Sequence, residues 1–386
     1  MNRTDSKRGT FALMVAHCAG MVDLVALPIW VGTLISQYRL DPQQAGLLAT
    51  LFLAGVVLAS LLAAPRFHRL NGRLVATLGF GTSAVCFGLA SVLDTFAALA
   101  VLHATAGLSA GFGLSVTHGT IARSARPHRL FAIVGMALGV FAIVFVGATP
   151  PLVAALGGPV LFRIFAGVMV AGALVAALAF PIPDALPSGH GTGVTAQGIP
   201  RAVWFGILGI GCMALVQAMT FSFLERVGRD RGFGLEAVTG VLIALGFVNL
   251  FPAGLAAVLE RRWSARTVML AGPMLQVILV ATIMNATTFV PYALAASVFA
   301  AVMIFTHTFA FGLLSGMDPS GRAMAATPAM MMTGAAIGPI LGGTLVKSLG
   351  YGSLGGAALV IAAFAILAFY RIPAKNQPLR TQGVTP

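Results

Sequence analysis

The sequence predicts an all-α integral membrane protein: twelve transmembrane helices in two pseudo-symmetric six-helix bundles, with both termini cytoplasmic. Three observations lead there. Hydrophobic residues make up 58% of the 386-residue chain and charged residues only 9%, against ~25% charged in an average soluble domain. So few charges cannot clothe a water-facing surface. Twelve apolar runs reach the ~20 residues that a membrane-spanning helix needs. A local pattern also recurs half a chain length later.

In chain order the expected spans are 9–36, 43–66, 73–93, 95–122, 128–155, 158–181, 201–226, 233–258, 265–285, 289–317, 321–348 and 351–370. Barrel strands would alternate apolar and polar residues over ~10-residue segments, and none of these runs does. The first run is too long for a signal-peptide core and keeps Asp23 inside it, so it reads as a retained helix. The only sizeable internal linker, 182–200, is rich in Gly and Pro and divides the chain into bundles at 1–181 and 201–386. With both ends inside, 17 of the 23 Lys and Arg fall on the cytoplasmic side, which sets the orientation. The net charge of +13 is thereby a membrane-orientation signal and not a nucleic-acid footprint. Cys18, Cys86 and Cys212 all lie in apolar stretches, which argues against a disulfide framework.

The repeat is carried by HRLNGR (His68–Arg73) between spans two and three and RRWSAR (Arg261–Arg266) between spans eight and nine, with Arg73 and Arg266 193 positions apart. Tandem six-helix units are the architecture of proteins that rock around a central site.

These features resemble the major facilitator superfamily over essentially the whole length. Arg69–Arg73 is similar to that family's signature G-x-L-a-D-R-x-G-R-[RK]; Gly72 and Arg73 match, while Arg69 replaces the expected acid. In the eleventh span GAAIGPILGG (Gly334–Gly343) is similar to the G-x-x-x-G-P-x-x-G-G pattern that proton-driven exporters carry in their fifth helix. The fifth span here offers the looser series Gly139, Gly147, Pro150, Pro151, Gly157, Gly158. DLVALPIW (Asp23–Trp30) looks like a shortened D-x-x-x-x-x-A-L-P stretch of those exporters. The resemblance implies gating roles for Gly72, Arg73, Arg266, Gly338 and Pro339. It also implies that spans one, four, seven and ten line the central cavity. Small residues in lipid-length helices let backbones approach, and proline removes a backbone donor.

The residues out of place in lipid point the same way. An ionised carboxylate at mid-bilayer costs ~2.5–3.5 kcal/mol on insertion scales and normally faces a partner or water. Asp23 is the only acid near the centre of a span, and a carboxyl group taken out of water suits reversible protonation. Histidines His17, His103, His118 and His307 also lie within spans, on one, four and ten. Asp23, His17 and His307 are the proton-coupling candidates. Met21, His103, Met213, Gln217, Thr220 and Met303 are the substrate-cavity candidates; Met213, Gln217 and Thr220 share one face of span seven at i, i+4 and i+7. His118, near the cytoplasmic end, reads as a solvated mouth position. On span one, His17 and Asp23 are 120° apart. Either Gly20 faces the cavity and both border it, or Asp23 packs toward a neighbouring helix. Glu225, beside Arg226, Arg229 and Asp230, is either an interfacial charge cluster or an extracellular gate.

No Arg or Lys lies deep in a span, so no fixed counter-charge awaits phosphate, nitrate or dicarboxylates. The expectation is a monomeric, proton-coupled transporter of a small lipophilic neutral or cationic molecule in a bacterial inner membrane, working as an exporter by antiport, with no cofactor and no nucleic-acid partner. The alternative is an importer of a nutrient or soft transition metal, with Met14, His17, Cys18, Met21, Met303 and His307 as thioether, thiolate and imidazole ligands. Paired carboxylates, HExxH, nucleophile and nucleotide-binding motifs are all missing, which argues against an enzyme or an ATP-driven pump.

Overall fold

The computed structural model describes residues 4, 6–124, 127–181, 200–260, 262–317 and 322–373. Among them the regular structure is helical: α1 (Lys7–Gly20), α2 (Val22–Ser36), α3 (Pro42–Ala63), α4 (Gly72–Ala90), α5 (Phe96–Ala122), α6 (Pro127–Leu156), α7 (Pro159–Ala179), α8 (Arg201–Asp230), α9 (Leu235–Val248), α10 (Pro252–Leu259), α11 (Ala265–Asn285), α12 (Phe289–Met317), α13 (Arg322–Leu349) and α14 (Ser353–Tyr370). Eleven spans among the described residues are long and apolar enough to cross a membrane. Of the remaining expected span, α13 supplies a helix of 28 residues. The linker 182–200 lies outside the described residues except for Pro200.

Two expected spans are each broken in two. The first divides at Met21 (φ −111°, ψ 15°), whose N–H still bonds back to the His17 carbonyl while its own backbone leaves the helical region. The eighth divides between Val248 and Pro252, where Pro252 cannot donate to the preceding turn and opens a new helix instead.

The half-chain repeat reappears in the bonding. Asn71 caps α4 by accepting the Leu74 N–H, and 193 positions later Ser264 caps α11 by accepting the Thr267 N–H. Arg73 donates from Nη2 to the Phe180 carbonyl at the end of α7 (3.2 Å). Its counterpart Arg266 donates to the Ile372 and Tyr370 carbonyls at the end of α14 (2.9 and 3.3 Å). Both guanidinium groups thus sit where the last helical carbonyls lack partners and the helix dipole is negative. At the other ends, Gly157 (φ 83°) and Gly350 (φ 77°) close α6 and α13 with matching bonds to Val153 and Val346. That left-handed geometry costs glycine little and an L side chain much.

These contacts also sort the helix ends onto two faces. One, the N-terminal face, carries the starts of α1, α4, α8 and α11 and the ends of α7 and α14, tied by Arg8, Arg73 and Arg266. The opposite face carries the α2–α3 turn, the ends of α8 and α13 and Tyr351, tied by Lys347–Asp41 and Tyr351–Asp230.

Asn71→Ala and Ser264→Ala are expected to cost about 1 kcal/mol each through loss of the helix cap. The check is the melting temperature of the purified protein, which should fall by similar amounts in the two variants because the two caps are equivalent.

Candidate functional site

The two halves of the chain meet along a seam, and its described contacts lie in the half nearer the opposite face. Helix α13 is its centre. One side of α13 presents Gly334, Gly338 and Gly342 to α8, so close that a Cβ at Gly334 or Gly338 would meet the backbone of Gly211, Leu215 or Met219. The adjacent side faces α3 in the other half. There the Pro339 carbonyl lies against Gly46, and Gly343 lies against the Pro42 carbonyl.

Thr50 of α3 completes this contact in an unusual way. Its Oγ1 donates to the Ala336 carbonyl (2.6 Å) and accepts from the Ile340 N–H (3.1 Å). Those two groups would bond each other in an uninterrupted helix. The hydroxyl of one half is therefore spliced into the backbone ladder of the other, one residue past the proline. At the rim Lys347 bonds Asp41 (2.9 Å) and Gln43 (3.4 Å) across the halves. Burial alone would raise the Asp41 carboxyl; the Gln44 N–H and the Lys347 ammonium hold it below the ordinary carboxylate value. The pair therefore stands at neutral pH and is lost as pH falls through that depressed value. Its partners are each a third or more exposed, so its contribution is small.

Symmetry-related helices α6 and α9 make a looser second seam, where Gly139, Gly147 and Gly246 receive Leu250, Ile243 and Ile143 side chains. On the inner helices, Val25–Leu34 of α2 are buried throughout, whereas α1 exposes Phe11 and α8 exposes Trp204 and Leu208. Helices α2 and α8 are thus buried together toward the opposite face, whereas α1 and the start of α8 are barer toward the N-terminal face.

The structure separates the expected site residues into two groups. His103, Met213, Thr220 and Met303, expected on the cavity wall, are instead 0–4% exposed inside the two halves. His103 stacks on Trp30 (5.4 Å, 23°) within edge contacts from Phe87 and Phe162, and its Nδ1 lies 2.6 Å from the Leu99 carbonyl. Met213 and Met303 pack with Met269 in the core of the second half. The i, i+4, i+7 face of α8 points inward because Gln276 of α11 holds it there. The Gln276 Nε2 donates to the Met213 carbonyl (3.1 Å) and to Gln217 Oε1 (3.3 Å). Gln276, fully buried in the apolar middle of α11, gave no periodic signal in the sequence.

Gln217, His307 and Met21 are half-buried, as are Met14 and Cys18. His307 lies over Phe311 (5.0 Å). His17 is nearly buried, and its Nδ1 lies 3.0 Å from Nε2 of His118 on α5, with Phe131 of α6 edge-on behind. His118 is thus paired and half-buried, not a solvated mouth residue. One ring of such a pair must donate and the other accept, so both cannot be imidazolium while the bond stands. Two single histidines a hundred residues apart carry no spacing from which this pairing could be read.

Gly20 settles the geometry of the first span. A Cβ there would run into the Leu114 side chain, so Gly20 faces α5 and not open space. Asp23 is 5% exposed, and its Oδ1 has no hydrogen-bond partner. It stands in the first turn of α2, just past the break, with the N–H groups of Asp23 and Leu24 turned to its carboxylate; these are donors that a helix start leaves unpaired. Among the described residues no three His, Cys, Asp or Glu side chains converge as a metal would require. Gly72 packs against Phe180, so with Arg73 and Arg266 it belongs to joints inside each half, whereas Gly338 and Pro339 stand at the seam.

Comparison with known proteins gives this arrangement a family. The profile of the Major Facilitator Superfamily matches residues 12–320. The chain belongs to that superfamily. It is a membrane transporter and not an enzyme. The structure is similar to that of a bacterial homologue of the human lysosomal transporter Spinster in an inward-facing, occupied conformation (TM-score 0.71, 15% identity, 94% of this chain and 93% of that one). It is also similar to the nucleoside transporter NupG (TM-score 0.72, 16% identity, 95% and 100%). At such identities the likeness is one of fold. No curated protein matches the chain.

In this superfamily member, Gly46→Leu is expected to disfavour closure of the seam, because the added side chain must displace the Pro339 carbonyl. Disulfide formation between cysteines placed at residues 41 and 347 measures it: rapid in the otherwise unaltered chain, at least about tenfold slower with Gly46→Leu.

Proposed function

We propose that the protein is a proton-coupled secondary transporter that moves a small lipophilic, neutral or cationic molecule by alternating access, as an exporter working by antiport. Twelve spans in bundles 1–181 and 201–386, joined by 182–200, rock about the seam, and both termini are cytoplasmic. The sealed face is then the outer one and the bare face opens to the cytoplasm of a bacterial cell, in its inner membrane. The unit is a monomer.

Asp23 carries this reading. A carboxyl group buried in lipid-facing protein, with one oxygen unpartnered and the other at a helix start, sits where losing and regaining a proton changes the local energy by several kcal/mol. It stands at the break that divides the first span, so its charge state bears on how α1 and α2 are joined. His17, through its bond to His118, and His307 are the other proton carriers. Met21 and Gln217, each only half-buried, serve the cargo. The composition of that wall, thioether, carboxamide and imidazole without Arg or Lys, supports a lipophilic cargo with no full negative charge. A soft-metal importer gains nothing from the structure, since Met303 is committed to the core with Met213 and Met269.

A thermal-shift screen of small lipophilic cations and neutral drugs at about pH 6 and pH 8 tests this. A stabilising compound should shift its affinity with pH in the wild type, and Asp23→Asn should flatten that dependence. Equal pH dependence in both would remove Asp23 from the coupling. Uptake of the same compound into everted vesicles, collapsed by a protonophore, checks the export direction.

A further inference from the structure

We infer that Glu225 is a second proton-binding site, placed on the axis between the two halves and able to exchange its proton only when the sealed face opens. The argument begins with the repeat. Glu225 follows Gly32 by the same 193 positions that relate Arg73 to Arg266 and Gly157 to Gly350. These equivalent residues touch: Glu225 Oε2 occupies the space where a Cβ at Gly32 would stand. Two positions that are exchanged by an internal two-fold and also meet each other must lie on that two-fold. The α2–α8 contact at Gly32 and Glu225 therefore lies on the two-fold axis between the halves, and one half places a carboxylate there while the other leaves a notch for it.

The surroundings are closed. Glu225 is 5% exposed, α2 is buried from Val25 to Leu34, and α8 is buried at Phe223 and Leu224. Its Oε1 meets Arg229 Nη1 at 3.3 Å on its own helix, and Arg229 itself reaches solvent. The other charged groups of that helix end are already paired, Arg226 with Asp230 (3.0 Å). From α12, Tyr292 is the titratable neighbour, and its hydroxyl donates to the Leu224 carbonyl (2.8 Å). From α13, Lys347 is turned to Asp41, and Tyr351 donates to Asp230. Helix α2 brings no ionisable group closer in sequence to Gly32 than Asp23, nine residues away. Among the described residues the one ion pair of this carboxylate is with the exposed Arg229 guanidinium, and the opposite half walls it in elsewhere.

The inference rests on alternating access with proton coupling as proposed above. Opening the seam withdraws α2 from α8 and gives Oε2 water in place of Gly32. A carboxyl group holds its proton more tightly when deprived of water than when hydrated. Protonation at Glu225 therefore favours the sealed seam, and deprotonation favours the open one, which links proton release on that side to the conformational step.

The experiment uses the full chain in lipid nanodiscs, with Cys18, Cys86 and Cys212 replaced and spin labels at Thr95→Cys and Leu349→Cys, exposed positions of the two halves on the sealed face. Protons are the only ligand varied. In the otherwise wild-type background the population with the longer inter-label distance should rise about fivefold or more as pH is raised from about 6 to about 8.5. Glu225→Gln should hold the short distance at every pH, and Glu225→Asp should restore a response. Gly32→Ala, which fills the notch, should enlarge the open population at every pH. Melting curves confirm that each variant is folded. A wild-type response that survives intact in Glu225→Gln, or a silent Gly32→Ala, overturns the assignment of Glu225 and leaves proton coupling standing. A wild type with no response to pH overturns the coupling itself and this inference with it.

Discussion

Everything else in the molecule is arranged around the places where α13 lets two other backbones touch it. In lipid there is no hydrophobic force to press helices together, so close packing and the few available polar contacts must do it. Glycines on one side of α13 accept α8, and Pro339 and Gly343 on the adjacent side accept α3. Thr50 bonds into the ladder next to the proline, adding a polar contact between the halves where few are available. A helix so placed belongs to both halves at once on the sealed side, and to one only when that side parts.

The halves themselves are made stiff by other means. Arg73 and Arg266 bind the starts of α4 and α11 to the ends of α7 and α14, and Asn71 and Ser264 cap the same starts. The signature between spans two and three that resembles a family latch is, in this chain, a joint within a half. Arg69, standing where the family pattern has an acid, leaves that joint to the guanidinium–carbonyl bond of Arg73. Stiff units with a small polar seam can move against each other without repacking their cores.

Much of this could be read before any coordinates. Spans nine and ten coincide with α11 and α12, because Ser264 and the Asn285–Thr288 turn are clear stop and start signals. The breaks in the first and eighth spans were missed, since hydropathy counts residues and does not see a backbone leave the helix at Met21. The orientation of α8 was misjudged for a similar reason. Met213, Gln217 and Thr220 do share a face, but whether that face looks at open space or at α11 depends on Gln276, sixty residues away. His103 misled because a titratable ring in lipid suggests a site, whereas here Trp30, Phe87 and Phe162 use it as one more aromatic plate. Periodicity gives a helix its faces; only tertiary packing assigns them.

The break at Met21 has no counterpart, because α8 runs unbroken from Arg201 to Asp230 past the equivalent position Ala214. The duplication is faithful at the caps and abandoned at the centre. Near that break the first half carries the His17–His118 pair, and the second half carries the Gln217–Gln276 contact instead. The ancestral two-fold thus survives as scaffolding while the chemistry it frames is handed.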